Sequence, residues 1–298
     1  MKKVGGFFLA LVPSIALLLI FFGSEFVAVI FMMIFSFAAK GWDGLYSIMD
    51  SIMNYAGELT FFMYICGGIP AVLFYYFGFY RKGMPLKENK RIRPSSFGLI
   101  ALLGLGLYKA VDLLMIVISI VMPHAMENYV ELIDSSSIGE FSFPSIVATV
   151  ILAPVVEELV FRGLTLRLLR RSGFSFLVAN IIQAVLFGCY HMNLVQGIYA
   201  FGVGLIFGFL ANHYHTLLAS MMLHAVFNFC GTIISQFESN LYDSFIIQML
   251  LIAVGVGLTI AMMQLIRHQK PRKAVASPDG IPVLRQSPYE MLEDEAFI

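Results

Sequence analysis

The sequence predicts an all-α fold, a polytopic transmembrane helix bundle of about eight spans with both termini in the cytoplasm. Hydrophobic residues make up 59% of the 298 positions and charged residues only 13%, which is more apolar than water-soluble domains of this size. Runs of about 20 apolar residues, enough to cross roughly 30 Å of hydrocarbon, recur along the chain. The 19 Lys and Arg balance the 19 Asp and Glu, so overall basicity would not recruit a nucleic acid.

Eight apolar runs are the predicted spans. They cover residues 5–38, 56–80, 97–122, 145–166, 174–191, 195–212, 216–235 and 245–266. The first run is too long for the apolar region of a signal peptide, so it is predicted to be a retained helix. On this basis the chain divides into N-terminal spans and connections (1–144), a core that carries the polar motifs (145–235), a final span (236–270) and a flexible cytoplasmic tail (271–298).

Basic residues predict the orientation of the spans. Lys2 and Lys3, the 81–93 connection, the 167–171 segment and the 267–273 stretch all fall on one side of the predicted bundle. Because positive charge concentrates in cytoplasmic connections, we expect that side to face the cytoplasm, with the cell membrane as the location. The 123–144 loop on the other side has four acidic residues and no Lys or Arg.

The fourth apolar run contains charged residues that lipid would not tolerate without a partner or a role. It reads ILAPVVEELVFRG over residues 151–163, and a charge at the bilayer centre costs roughly 2.5–3.5 kcal/mol. Glu158 and Arg162 are four residues apart, the spacing of an intrahelical ion pair. Glu157 points about 100° away around the helix and lacks that partner. Burial there favours uptake of a proton, which is what a general base must do.

Two further runs carry polar side chains. The fifth ends in LFGCYH, which places His191, Phe187 and Gln183 on one helical face. The seventh carries His224 and Asn228 four residues apart. One such stripe commonly serves interhelical hydrogen bonding, whereas three helices that each offer a polar cluster predict a shared site.

Together these motifs resemble the signature of a known family. Glu157-Glu158-xxx-Arg162, Phe187-xxx-His191 and His224-xxx-Asn228, in this order on separate apolar runs, are similar to the motifs of the CAAX-processing and bacteriocin-processing (CPBP or Abi) intramembrane proteases. The resemblance covers about residues 145–235 and implies that this core is catalytic. The implied roles are water activation by Glu157 and His191, oxyanion stabilisation by His224 and Asn228, and support from Glu158, Arg162 and Phe187.

The expected activity is that of a glutamate-type endopeptidase without a cofactor. It would hydrolyse a peptide bond near the end of a membrane-associated or lipidated protein, or of a peptide precursor, with the lipid bilayer as its other partner and no nucleic acid. Two alternatives stay open. One is a zinc-dependent protease with Glu157, His191 and His224 as ligands, although no HExxH motif is present. The other is a non-proteolytic transporter or a membrane scaffold or immunity protein.

Overall fold

A computed structural model describes residues 2–48, 52, 55–80, 92–135, 142–238 and 244–269. These residues form helices and no strand, and seven of their helices are long and apolar enough to cross a membrane. The predicted polytopic helix bundle is therefore confirmed. The orientation of the termini stays a prediction, and the predicted tail, 271–298, lies outside the described residues.

Among the described residues, the bundle contains seven long helices and two shorter ones. In chain order they are α1 (Lys3–Lys40), α2 (Ala56–Gly78), α3 (Pro94–Val121), α4 (Pro123–Ser135), α5 (Phe143–Arg171), α6 (Phe176–Tyr190), α7 (Leu194–Tyr214), α8 (Leu217–Phe237) and α9 (Phe245–His268). A single helical turn, Trp42–Tyr46, follows α1. The first predicted span, 5–38, thus forms one continuous helix.

Helix α6 differs from the predicted fifth span in length. Its 15 residues extend about 22 Å, which is less than the roughly 30 Å of a full crossing. The Ser175 side chain accepts a hydrogen bond from the Val178 N–H at its start, and the helix ends just before His191. Met192 follows with a left-handed backbone angle, φ 54°, and turns the chain into α7. His191 therefore lies at a helix end.

The acidic 123–144 connection begins with a helix. In α4, His124 and Glu127 are exposed and lie 3.1 Å apart, while Tyr129 on another face is partly buried. The Tyr129 and Tyr199 phenols interact, which brings α4 against α7. Helix α4 is consequently a surface helix at the α6–α7 end of the bundle.

Helix α5 is the centre of the bundle. Half of the residues in an 18-residue apolar stretch of α5 are buried, against 11% for α1. Helix α5 contacts α1, α2, α6, α7 and α8. Its α-helical segment Ala153–Glu158 is flanked by two π-helical segments, Ala148–Leu152 and Leu159–Leu166. Such wider turns are frequent at functional sites. The two adjacent carboxylates of α5 therefore lie at a change of helical geometry, in the most buried span.

Contacts between helix ends group the basic stretches as the sequence predicts. Lys3 lies beside Gly173, which follows the basic end of α5. Ser96 and Tyr214 both donate hydrogen bonds to Gln269 Oε1, each at 2.8 Å, which joins the start of α3 to the ends of α7 and α9.

Candidate active site

Glu158 has two partners at one of its carboxylate oxygens. Arg162 Nη1 donates to Glu158 Oε1 at 2.8 Å, and both side chains are completely buried. His224 Nδ1 lies 3.1 Å from the same oxygen. The predicted pair of residues 158 and 162 is thus confirmed, with a histidine from α8 added to it.

Arg162 also ties α5 to its neighbours. Its Nη2 donates to the Gly204 carbonyl of α7 at 2.9 Å, and Gln183 Nε2 of α6 donates to that same oxygen at 3.1 Å. The guanidinium lies over the rings of Phe187 and Phe207, with 4.5 and 5.2 Å to the centroids. A Cβ at position 204 would lie 3.1 Å from Arg162 Nη2, so glycine permits this approach. The buried cation therefore joins three helices.

Glu157 has different neighbours from Glu158. Its side chain is only 3% exposed, and the Tyr64 hydroxyl of α2 donates a short hydrogen bond to Oε1. The other oxygen, Oε2, lies 3.7 Å from His224 Nε2. The two carboxylate oxygens are thus distinguished by their surroundings, one facing a phenol and the other an imidazole.

The hydrogen-bond partner of His224 assigns the protons of its ring. An ionised carboxylate only accepts hydrogen bonds, so Nδ1, facing Glu158, is the donor. Nε2, facing Glu157, then carries a proton only in the imidazolium form. The ring stacks on Phe207, with centroids 4.7 Å apart, and meets the edge of Phe187 at 5.9 Å. His224 could therefore donate to a developing oxyanion as an imidazolium.

The ring of His191 also donates through Nδ1, but to a backbone carbonyl. Its Nδ1 lies 2.8 Å from the Phe187 carbonyl oxygen, which can only accept, so Nδ1 carries the proton and Nε2 keeps its lone pair. The ring packs at 4.9 Å from Phe187 and 5.4 Å from Tyr190. His191 interacts electrostatically with Glu157 and His224 and is partly exposed. Its Nε2 is therefore available to accept a hydrogen bond near Glu157.

Asn228 lies one turn beyond His224 on α8. Its Nδ2 donates to the Thr149 carbonyl of α5 at 2.9 Å, and the side chain is partly exposed. One N–H and the Oδ1 remain for another partner. The structure therefore joins Glu157, Glu158, Arg162, Phe187 and His224 by direct contacts. His191 joins this group through Phe187, and Asn228 lies on the adjoining turn of α8.

Three aromatic residues of this site were not predicted from the sequence. Tyr64, Tyr190 and Phe207 are neutral residues in apolar runs of a sequence with 13 Tyr and 28 Phe, so nothing in the sequence separates them from packing residues. Gly204 was detectable as part of a GxxxG pattern with Gly208, whose ordinary interpretation is close helix packing.

The zinc alternative names Glu157, His191 and His224 as ligands. Within the described ranges, no three His, Cys, Asp or Glu side chains form a group that could hold a metal ion. Glu157, His191 and His224 are suitable ligand types for zinc, but they are not arranged as a ligand cluster.

Comparison with known families supports the motif analysis. Residues 139–230 match the family model described as type II CAAX prenyl endopeptidase, Rce1-like. This region is therefore similar to the CPBP proteases that the motifs resemble. The Rce1-like region contains all seven predicted site residues and leaves α1, α2, α3, α4 and α9 outside it. Comparison with curated proteins and with solved structures gave no match.

The Rce1-like match and the helices together define the class of protein. Seven membrane-length apolar helices and an Rce1-like region indicate an integral, multi-pass membrane protein and support a CAAX-type intramembrane endopeptidase.

Proposed function

We propose that the protein hydrolyses peptide bonds with a water activated by Glu157 and His191. The observation that carries this proposal is the different use of two adjacent carboxylates. Arg162 is hydrogen-bonded to Glu158, so the charge of Glu158 is taken up by an ion pair. Glu157 instead has a phenol and an imidazole as its neighbours. A buried carboxylate in such surroundings is suited to accept a proton from water.

The proposed reaction begins with attack by water. His191 Nε2 orients the water, one proton of the water moves to Glu157 Oε2, and the water oxygen bonds to the carbonyl carbon. The electron pair of the C=O π bond moves to the carbonyl oxygen, where His224 as imidazolium and the remaining N–H of Asn228 donate to it. The C–N bond then breaks, and Glu157 returns its proton to the leaving amine.

The substrate we propose is a membrane-associated polypeptide cleaved near its end. Glu157 and His224 are buried in the spans, whereas His191 and Asn228 are partly exposed and Met192, which follows His191 in the chain, is 71% exposed. The α6–α7 turn is therefore the side from which a peptide would reach the site. The Rce1-like match favours a lipidated C-terminus, and a small peptide precursor is the alternative.

A reconstitution assay tests this function. The purified protein in liposomes would be given labelled peptides, each with and without a C-terminal lipid, and products mapped by mass spectrometry. We expect one defined cut near the C-terminus by the wild type and none by Glu157→Gln. Glu58→Gln, the same change at an exposed carboxylate of α2, should cleave normally. Equal cleavage by Glu157→Gln would contradict the proposal.

A further inference from the structure

Tyr64 connects the N-terminal spans to the reacting carboxylate. It lies on α2, outside residues 139–230, and its hydroxyl donates to Glu157 Oε1. The two residues are 93 positions apart in the chain, so only the packing of α2 against α5 brings them together. This contact gives α2 a direct connection to the group that we propose accepts the proton.

Two adjacent glycines bring α2 close enough for this contact. A Cβ at Gly67 would lie 2.4 Å from Phe21 Cε1 of α1, and one at Gly68 would lie 3.0 Å from Val156 Cγ2 of α5. Larger residues would therefore push α2 away from one neighbour or the other. Both glycines lie one turn from Tyr64 on α2, and the side chains they approach are Phe21, which contacts the Tyr64 ring, and Val156, which precedes Glu157.

The Tyr64 ring is supported from two sides. Phe21 meets it edge-on, with centroids 5.0 Å apart, and meets Tyr190 at 5.9 Å. The Tyr190 phenol lies beside that of Tyr64, and the Tyr190 ring packs on His191 at 5.4 Å. The same aromatic group thus touches both Glu157 and His191. Its packing limits the directions in which the Tyr64 hydroxyl can point.

We propose that Tyr64 is the positioning residue of Glu157, an inference that rests on the function proposed above. Its hydroxyl donates a hydrogen bond to Glu157 Oε1 and thereby fixes the rotation of the carboxylate. Oε2 is then the oxygen that faces His224 and takes the proton of the water. Tyr64 itself neither gains nor loses a proton in the reaction. The N-terminal spans thereby supply part of the site that the family-matched region does not contain.

The kinetic test is Tyr64→Phe, which removes the hydroxyl and keeps the ring against Phe21. We expect kcat to fall about 10- to 100-fold, as for the loss of one hydrogen bond to a charged group, with KM near that of the wild type. Tyr76→Phe removes a hydroxyl from an exposed position on the same helix and should leave both constants unchanged. Wild-type kcat in Tyr64→Phe would overturn the inference while leaving the proposed function intact.

A spectroscopic test does not depend on turnover. The infrared carboxyl band of Glu157 is identified as the band lost in Glu157→Gln, and loss of a hydrogen bond shifts such a band. We expect Tyr64→Phe to shift it and Tyr76→Phe to leave it in place. An unshifted band in Tyr64→Phe would refute the positioning role even if no substrate had been found. A shifted band in a protein that cleaves nothing would reject the proposed function alone.

A double-mutant cycle separates positioning from general packing. Gly68→Ala should lower kcat in the wild type because its Cβ forces α2 away from Val156. In Tyr64→Phe the same change should lower kcat much less, because the hydrogen bond that it disturbs is already absent. Equal losses in both backgrounds would show that Gly68 acts through packing and would count against the inference.

Discussion

Glu157 and Glu158 are neighbours in the sequence but lie in opposite environments. Glu158 binds Arg162 and His224 through one oxygen and is completely buried among α5, α7 and α8. Glu157, rotated about 100° around the helix, meets a hydroxyl of α2 and a ring nitrogen of α8 at 3.7 Å. Burial alone therefore does not distinguish a structural from a catalytic carboxylate. The partners of each do.

The largest effect on activity is expected at His191, which we propose acts together with Glu157. His191→Ala should lower kcat about 100- to 10,000-fold, the range for loss of a group in general acid–base catalysis, because its Nε2 orients the attacking water in the proposed reaction. Thermal stability should stay near wild type, since the ring is partly exposed and its hydrogen bond is to its own helix end. Peptide cleavage kinetics check the first expectation, and thermal unfolding in detergent checks the second.

The matched control is His124→Ala on α4, where the side chain is 94% exposed. It should cleave at the wild-type rate. An equal loss in both histidine variants, or full activity in His191→Ala, would contradict the role given to His191.

Changes to the Glu158–Arg162 pair should alter the stability of the protein. Arg162→Met leaves a buried carboxylate without its cation, which typically destabilises a protein by about 3–5 kcal/mol. The double variant Glu158→Gln/Arg162→Met removes both charges and should recover much of that loss. Unfolding in detergent measures both variants. A double variant no more stable than the single one would show that Arg162 acts through Gly204 and its aromatic contacts rather than through Glu158.

The smallest expected effect is that of metal removal. Treatment with 1,10-phenanthroline should leave cleavage unchanged, because Glu157 and His191 suffice to activate the water in the proposed reaction. Loss of activity that returns on addition of zinc would replace this reaction with the zinc alternative. The assay needs only the wild-type protein and an unrelated zinc protease as a positive control.

The sequence predicted the site residues whose transfer into lipid has a large free-energy cost. Charges and imidazoles in apolar runs need partners, and the four-residue spacing of Glu158 and Arg162 identified one pair directly. Lys109 and Asp112, three residues apart in α3, form another such pair at 3.1 Å. Neutral aromatics have no such cost, so Tyr64 and Phe207 gave no signal.

The geometry of the helices could not be predicted from the apolar runs. Straight, upright helices would place Glu157, His191 and His224 at depths differing by more than about 15 Å. Two features differ from that picture: α6 has only 15 residues, and α5 contains π-helical segments on both sides of Ala153–Glu158. Residues 174–191 form one predicted apolar run that includes Gln183 and His191, so the run itself does not give the length of α6.

The most direct test compares Glu157→Gln with Glu158→Gln in one preparation, measuring peptide cleavage and thermal unfolding on each. We expect Glu157→Gln to unfold near the wild-type temperature and to cleave nothing. We expect Glu158→Gln to unfold at a clearly lower temperature, because Arg162 loses its counter-charge. A Glu157→Gln protein that still cleaves, or one that is destabilised as much as Glu158→Gln, would contradict the division of roles between the two carboxylates.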